Sequence, residues 1–211
     1  MSQLDPANVR QIADSLDLGV SATQCEQLAA FGRLLLQWNR IYNLTAVRDP
    51  AQLLTQHLAD CMAAVSPIRR HIGDRAAPEL LDVGSGGGLP GVVLAVLNEA
   101  LLVTCVDSVG KKAAFVRQVA AELQLTSLRA VHERVENLTG PFDLVVSRAF
   151  SSLAATCSLT RHLLGPQGCW AAMKAKRPEH EIQALPADVE VFHVEPLRVP
   201  GLDAERCLVW M

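Results

Sequence analysis

Apolar residues recur along the chain at two spacings. Leu28, Phe31, Leu35, Trp38 and Tyr42 follow one another at intervals of three or four, which lines one face of an amphipathic helix that packs inward. Ser21, with Gln24 three positions on, approximates a capping box and predicts where that helix starts. A short helix is predicted over 8–18, closed by Gly19, and another over 52–64, after the breaking segment 43–50. Pro67, Gly73 and Pro78 then predict a linker, with Arg69, Arg70 and Arg75 as solvated loop side chains.

From Glu79 the texture changes to short apolar runs. Strands are predicted over 80–83, 101–106, 128–131, 142–147, 168–174, 189–194 and 206–211. Helices are predicted over 91–97 with Pro90 as first residue, 111–123, 153–164 and 178–185. On the second of these, Ala114, Phe115, Val119 and Leu123 share a side. Strands that alternate with helices and are apolar through their centres make a parallel sheet covered on both faces. The last two strands have no long crossover between them and are expected to form an antiparallel hairpin. The sequence contains no internal repeat and no low-complexity segment.

Half of the 211 residues are apolar and 19% are charged, which excludes disorder as the dominant state. No run approaches the roughly 18 apolar residues of a membrane span. The first ten residues carry Asp5 and no apolar run, so no secretory signal and no membrane partner are expected. The six cysteines form no Cys-x-x-Cys pair and no metal-binding spacing; reduced thiols point to the cytoplasm, and Cys105 reads as a small hydrophobe. The histidines are scattered, and His57, His132 and His193 read as surface or packing residues rather than metal ligands. The net charge of −3 argues against a nucleic-acid partner, but its distribution changes that picture. Residues 1–32 carry one basic and four acidic side chains and 179–211 carry two and seven, which leaves 16 basic against 11 acidic in 33–178. A cationic face between acidic ends is therefore permitted, as is an ordinary mixed surface.

The most specific feature is Asp82-Val83-Gly84-Ser85-Gly86-Gly87-Gly88-Leu89-Pro90-Gly91, placed where the first strand turns into its helix. In a doubly wound sheet that turn opens onto the ligand crevice. A phosphate-cradling P-loop needs a lysine that this loop lacks. The dinucleotide pattern begun at Gly84 and Gly86 meets Leu89 at its third glycine; a frame shifted to 86–91 matches formally but sets proline before the last glycine. The acidic-x-Gly-x-Gly-x-Gly loop of S-adenosylmethionine (SAM) methyltransferases matches Asp82, Gly84, Gly86 and Gly88, with Ser85 between the first two glycines. SAM has no pyrophosphate; it carries an amino-acid tail and an adenosine. Asp82 is expected to order the tail ammonium, directly or through water. Asp107, 23 residues after Gly84 and at the end of the second strand, is expected to accept the ribose hydroxyls.

Gly84 to Gly91 resembles the signature loop of the bacterial small-subunit rRNA guanine-N7 methyltransferases, the methyltransferase G family. Other segments agree: Trp38-Asn39, Tyr42-Asn43-Leu44-Thr45, Arg48-Asp49-Pro50, His57 with Asp60, Asp107 to Lys112, Arg134-Val135-Glu136 and Ser147-Arg148-Ala149-Phe150. They run in order from about 38 to 174. The resemblance implies a Rossmann-like α/β fold with a seven-stranded, mostly parallel sheet and an antiparallel last strand. It also implies a helical extension, 1–66, packed as one unit with a SAM-binding domain, 67–211. Gly84 and Leu89 would lie at the SAM pocket, Val135 and Glu136 beside the adenine, and Arg148 near the cofactor or the incoming base. One departure is Ala175 after Lys174, where relatives usually have glycine; the tail from Glu179 carries no usable motif.

The implied substrate is one guanine of 16S rRNA, free or within the small ribosomal subunit, with no obligate protein partner evident. Guanine N7 has a lone pair and no proton, so no acid or base catalyst and no metal are required; the task is alignment. The segment after the fourth strand lacks the Asp/Asn-Pro-Pro-aromatic run of amino-group methyltransferases, and no Pro-Cys stands as in cytosine-C5 enzymes. Arg148 is expected to position the guanine through O6 or a phosphate; the alternative is a salt bridge to Asp82 or Glu136 that only shapes the pocket. Phe150 reads as a core residue or as a stacking surface for the base. Arg48, Lys111, Lys112, Arg117, Lys174, Lys176 and Arg177 are the candidate RNA contacts. Three rivals stand beside this reading. A small-molecule methyltransferase is disfavoured by the basic middle, and a NAD-linked oxidoreductase by Leu89. The third is a non-catalytic SAM- or RNA-binding module.

Overall fold

The computed structural model describes residues 3–211; Met1 and Ser2, where the expected extension begins, lie outside the described residues. Asp5 caps the first helix, α1 (Pro6–Ser15), by accepting the Asn8 N–H at 2.8 Å, with Pro6 in the first turn where its missing N–H costs nothing. The helix does not close at Gly19. Asp17 takes the left-handed conformation (φ 53°), and the Leu18 N–H reaches back to the Ala13 carbonyl at 2.9 Å, burying Leu18 against the core. The Ser21–Gln24 capping box forms with both hydrogen bonds and starts α2 (Ala22–Tyr42). Along α2, Leu28, Phe31 and Leu35 are fully buried, whereas the stripe leaves the core at its end and Tyr42 is 37% exposed.

A continuous helical run follows: α3 (Pro50–Leu53), a π-helical turn (Leu54–Ala59) and α4 (Asp60–Ala63). The expected linker is a helix instead, α5 (Val65–Ile72). Pro67 sits in its first turn, where proline is tolerated. Arg69 is not a solvated loop residue; its guanidinium binds Asn98 Oδ1 at 2.8 Å and the Leu97 carbonyl, and Arg70 pairs with Glu195.

Seven strands form one sheet: β1 (Glu79–Val83), β2 (Leu102–Asp107), β3 (Leu128–His132), β4 (Phe142–Arg148), β5 (Leu164–Lys174), β6 (His193–Pro196) and β7 (Cys207–Trp210). The order is β3-β2-β1-β4-β5-β7-β6. The first five are parallel, and β7 runs antiparallel to both β5 and β6. The crossover helices are α6 (Gly91–Leu97), α7 (Gly110–Glu122), α8 (Leu153–Thr160) and α9 (Glu179–Gln183). Strand β5 begins four residues earlier than the sequence suggests, where a register shift interrupts its pairing with β4. Strand β6 begins later, at His193, because the Val189 N–H closes a turn onto Pro186 O.

Residue alternation along the strands gives the sheet two apolar faces. Leu80, Val103 and Leu144 pack in one cluster with Leu28, Phe31 and Leu35 of α2 and with α6 and α7; Phe31 lies 6.3 Å from Phe115 between ring centres. Leu81, Val106 and Val145 pack on the other face with Leu153 and Cys157 of α8. Each fully buried leucine or phenylalanine contributes about 1.5–3 kcal/mol, which ties the N-terminal helices to the sheet. The strand order reverses between β1 and β4, so the carboxyl ends of these two strands flank the crevice where such sheets bind ligands.

Candidate cofactor and substrate cavities

The loop after β1 is shaped by its glycines. Gly84 has φ +64°, and a Cβ there would stand 2.3 Å from Phe150 Cδ2; only glycine fits that approach. Gly86 and Gly88 are also left-handed, at +55° and +79°. Ser85 donates its N–H to Val106 O at 3.1 Å and accepts the Gly88 and Leu89 N–H groups at 2.8 and 3.1 Å, which folds the loop over the end of β2. Ser85 is buried, and the Leu89 side chain lies in the core on the α2 face rather than at a cavity.

Asp82 lies beneath this loop. Its side chain is wholly buried; Oδ2 accepts the Gly91 N–H at 2.8 Å and Oδ1 has no partner. Burial pushes the carboxyl up to about 7 against the pull of the Gly91 N–H. A Cβ on Gly91 would come within 2.7 Å of Asp82 Oδ2, so the glycine lets α6 start directly on the carboxyl. Asp82, expected to order a cofactor ammonium directly or through water, lines neither the cavity bordered by Gly84 nor the one bordered by Arg148.

A cavity of about 410 Å³ is lined by Gly84, Asp107, Val135 and Glu136, all expected from the sequence, and by Val109, Lys112, Arg134, Phe150 and Leu159; Ser85, Gly86 and Gly88, also expected there, shape the loop without lining it. Asp107 uses Oδ2 to accept the Gly86 N–H at 3.0 Å and Oδ1 to accept the Val109 N–H at 2.9 Å, with Lys112 Nζ 3.7 Å away. A carboxylate has about four lone-pair sites, so two remain for a ligand. At the opposite rim, Glu136 is held below the usual carboxylate range by its own backbone N–H and by Arg134, 3.2 Å distant. Phe150 packs over Gly84 as part of the apolar cluster on the α8 side.

Arg148 does not line this cavity, and its ion partner is neither Asp82 nor Glu136. It lines a second cavity, of about 370 Å³, with Gln56, His57, Asp60, Lys174, Arg206 and Cys207. Its NH1 donates to Asp60 Oδ2 at 3.0 Å and to Gln56 O at 3.2 Å, and its NH2 lies 3.2 Å from His57 Nδ1. Asp60 is nearer in space than the two acids considered from sequence because the N-terminal helical run packs against the end of β4. The other Asp60 oxygen accepts Arg206 Nε at 2.9 Å. Burial and the Arg148 charge pull His57 down to about 4, so it is neutral at pH 7. His57 Nδ1 also lies 3.0 Å from Gln56 O, and its Nε2 lies 2.6 Å from Thr45 Oγ1. His57, Asp60, Thr45 and Arg206 were not singled out as site residues. Of these, only the spacing of His57 and Asp60 on one helical run offered a signal, and Arg206 lies in the tail without motifs. The two cavities meet at Ala149, which lines both and is left-handed (φ 53°).

The basic candidates divide. Arg48, Lys111, Arg117 and Lys176 are exposed, Arg48 hydrogen-bonding Asn43 at 3.1 Å. Lys112 lines the first cavity. Lys174 is not a free cation: its Nζ is held by Ser151 O at 3.1 Å and by Glu181 at 2.8 Å. Arg177 pairs with Glu179.

The chain is similar to several known proteins. Two solved structures share its fold: a SAM-dependent methyltransferase from Aquifex aeolicus (TM-score 0.56, 15% identity, covering 80% of this chain and 95% of that one) and the N-methyltransferase NodS from Bradyrhizobium japonicum in complex with S-adenosyl-L-homocysteine (0.57, 13%, 87% and 96%). The ribosomal RNA small subunit methyltransferase G of Acidovorax sp. (strain JS42) is 55% identical over 210 residues, covering 96% of this chain and 93% of its own. That of Leptothrix cholodnii is 58% identical over 200 residues, covering 94% and 91%. A family model described as rRNA small subunit methyltransferase G matches residues 24–209. On a match spanning nearly its whole length, the chain belongs to the rRNA small subunit methyltransferase G family.

Proposed function

We propose that the chain transfers the methyl group of SAM to N7 of one guanine in 16S rRNA, in the cytoplasm and without an obligate protein partner. The observation that carries this reading is the junction of two cavities at Ala149, one under the glycine loop and one at Arg148. The first cavity falls in the size range of small-molecule sites. Its donor set fits a sulfonium nucleoside: close backbone at Gly84, the free lone pairs of Asp107 for ribose hydroxyls, and the apolar Val135 and Leu159 beside Glu136 for an adenine. When bound there, SAM supplies a methyl group on a positively charged sulfur.

The chain has no proton to move in this chemistry, because N7 of neutral guanine is already a free lone pair. Its residues bind and orient. Gly86, Gly88 and Ser85 set the loop, Asp107 and Glu136 bracket the nucleoside, and Asp82 holds the start of α6 from below. Arg148 lines the second cavity with NH1 engaged by Asp60 and Gln56 and with its Nε and NH2 donors free of any carboxylate or carbonyl partner. Those donors suit guanine O6 or a backbone phosphate. Leu89, buried in the core, supports the loop from the α2 side.

The test is methyl transfer from labelled SAM to rRNA taken from a strain lacking the gene, followed by mapping of the modified nucleotide. One N7-methylguanine in 16S rRNA supports the reading. Label on a pyrimidine or an exocyclic amine, or SAM binding with no transfer to free rRNA or to small-subunit particles, overturns it.

A further inference from the structure

Asp60 is 4% exposed, and both of its oxygens are occupied by arginines from distant parts of the chain. Oδ2 receives Arg148 NH1 at 3.0 Å, from the end of β4, and Oδ1 receives Arg206 Nε at 2.9 Å, from the residue before β7. A carboxylate bound on both sides cannot rotate away from either partner. Gln56 O completes the holding of Arg148 at 3.2 Å, and Arg206 is itself steadied by Glu205 O at 2.7 Å. Lys174, which lines the same cavity, is engaged by Ser151 and Glu181 rather than by Asp60.

We infer that Asp60 and Arg206 are positioning residues that clamp the Arg148 guanidinium so that its Nε and NH2 donors are presented to the second cavity. This rests on the reading of that cavity as the guanine site. An ion pair kept only for stability is a weaker account, since burying charges offsets much of their attraction. All three groups, moreover, line the same cavity, which shares Ala149 with the first. The left-handed Ala149 then turns the chain from the Arg148 side into the wall of the cofactor cavity.

The test uses the full chain with Asp60→Asn, Asp60→Glu and Arg206→Gln. The first readout is ¹⁵N NMR of the arginine side chains, where a clamped guanidinium gives distinct Nη signals and a freely rotating one gives averaged signals. The second is kcat and KM for rRNA beside the Kd for SAM. Expected are distinct Arg148 signals in the wild type that average in Asp60→Asn and Arg206→Gln. In those two variants kcat is expected to fall by about 10- to 100-fold, the scale of misplacement by about 1 Å. The SAM Kd is expected to stay within about twofold, and Asp60→Glu to recover part of kcat, the carboxylate being what matters. Signals that stay distinct in both charge-removing variants overturn the clamp, as does an unchanged kcat. A parallel loss of SAM affinity and kcat in a variant that still unfolds cooperatively does so too, because it places the pair at the cofactor rather than at Arg148. If Asp60→Asn fails to fold, Arg206→Gln, whose wild-type side chain is 23% exposed, decides alone. A wild type that binds SAM and shows the distinct signals but forms no N7-methylguanine overturns the parent reading and the role given to the clamp together.

Discussion

Asp107 Oδ2 accepts the Gly86 N–H at 3.0 Å beside the first cavity. The same carboxylate takes the Val109 N–H at 2.9 Å, so one side chain ties the loop after β1 to the turn after β2. Hydrogen bonds to a charged group contribute about 1.5–3 kcal/mol each. Asp107→Asn keeps one acceptor oxygen and loses the second. Its affinity for S-adenosylhomocysteine is expected to fall by about 10- to 100-fold, measured by calorimetry, with cooperative unfolding retained. Affinity within threefold of wild type refutes this role.

Asp82 makes stability depend on pH in a direction opposite to most carboxylates. Its folded value, about 7, lies above the ordinary value of 3.8. Between these limits the folded chain holds a proton that the unfolded chain has released, so this contribution to stability falls as pH rises and levels off above pH 7. His57, lowered to about 4 by burial, acts in the other sense over roughly pH 4 to 6.5. Asp82→Asn isolates the first effect, since its oxygen still accepts the Gly91 N–H. The variant is expected to match the wild type near pH 4 and to exceed it in urea unfolding at pH 8. A difference that does not change with pH refutes the assignment.

RNA binding is expected to weaken with salt. Each phosphate contact contributes about 0.7–0.9 to the slope of log K against log salt. Lys111, exposed at the start of α7, is expected to flatten that slope by about this amount when changed to alanine, leaving the SAM Kd unchanged. Lys174→Ala is expected to leave the slope as it is, because Glu181 already neutralises that ammonium. Filter binding at four salt concentrations separates the two, and equal effects from both variants contradict the division.

What could be read from the sequence was local. The Ser21–Gln24 box and the glycine loop are patterns of a few residues that dictate backbone angles, and the positions of Asp82 and Asp107 follow from strand ends. The site at Arg148 was not local. Its partner Asp60 is 88 residues away, and Arg206 lies 146 residues from Asp60. No spacing rule joins side chains that meet only after α4, β4 and β7 have packed. The same holds for smaller differences. Asp17 and Gly19 could each take a left-handed angle, and the burial of Leu18 decides for Asp17. Pro67 suggests a break, yet a proline in a first helical turn breaks nothing.

Gly84 and Phe150 give a prediction that separates two costs of a single methyl group. Alanine at 84 must hold φ near +64°, a strain of about 1–2 kcal/mol for a non-glycine residue. Its Cβ must also displace the Phe150 ring from 2.3 Å. The ring follows Ala149, itself left-handed and shared by both cavities, so pushing it disturbs the wall on the substrate side as well as the cofactor side. Gly84→Ala is expected to lower both stability and affinity for S-adenosylhomocysteine. Combining it with Phe150→Leu is expected to restore the part due to the clash and leave the part due to the backbone angle. A double-mutant cycle on unfolding free energy and on Kd measures the two shares. Strict additivity of the two substitutions would show that ring and loop do not press on each other.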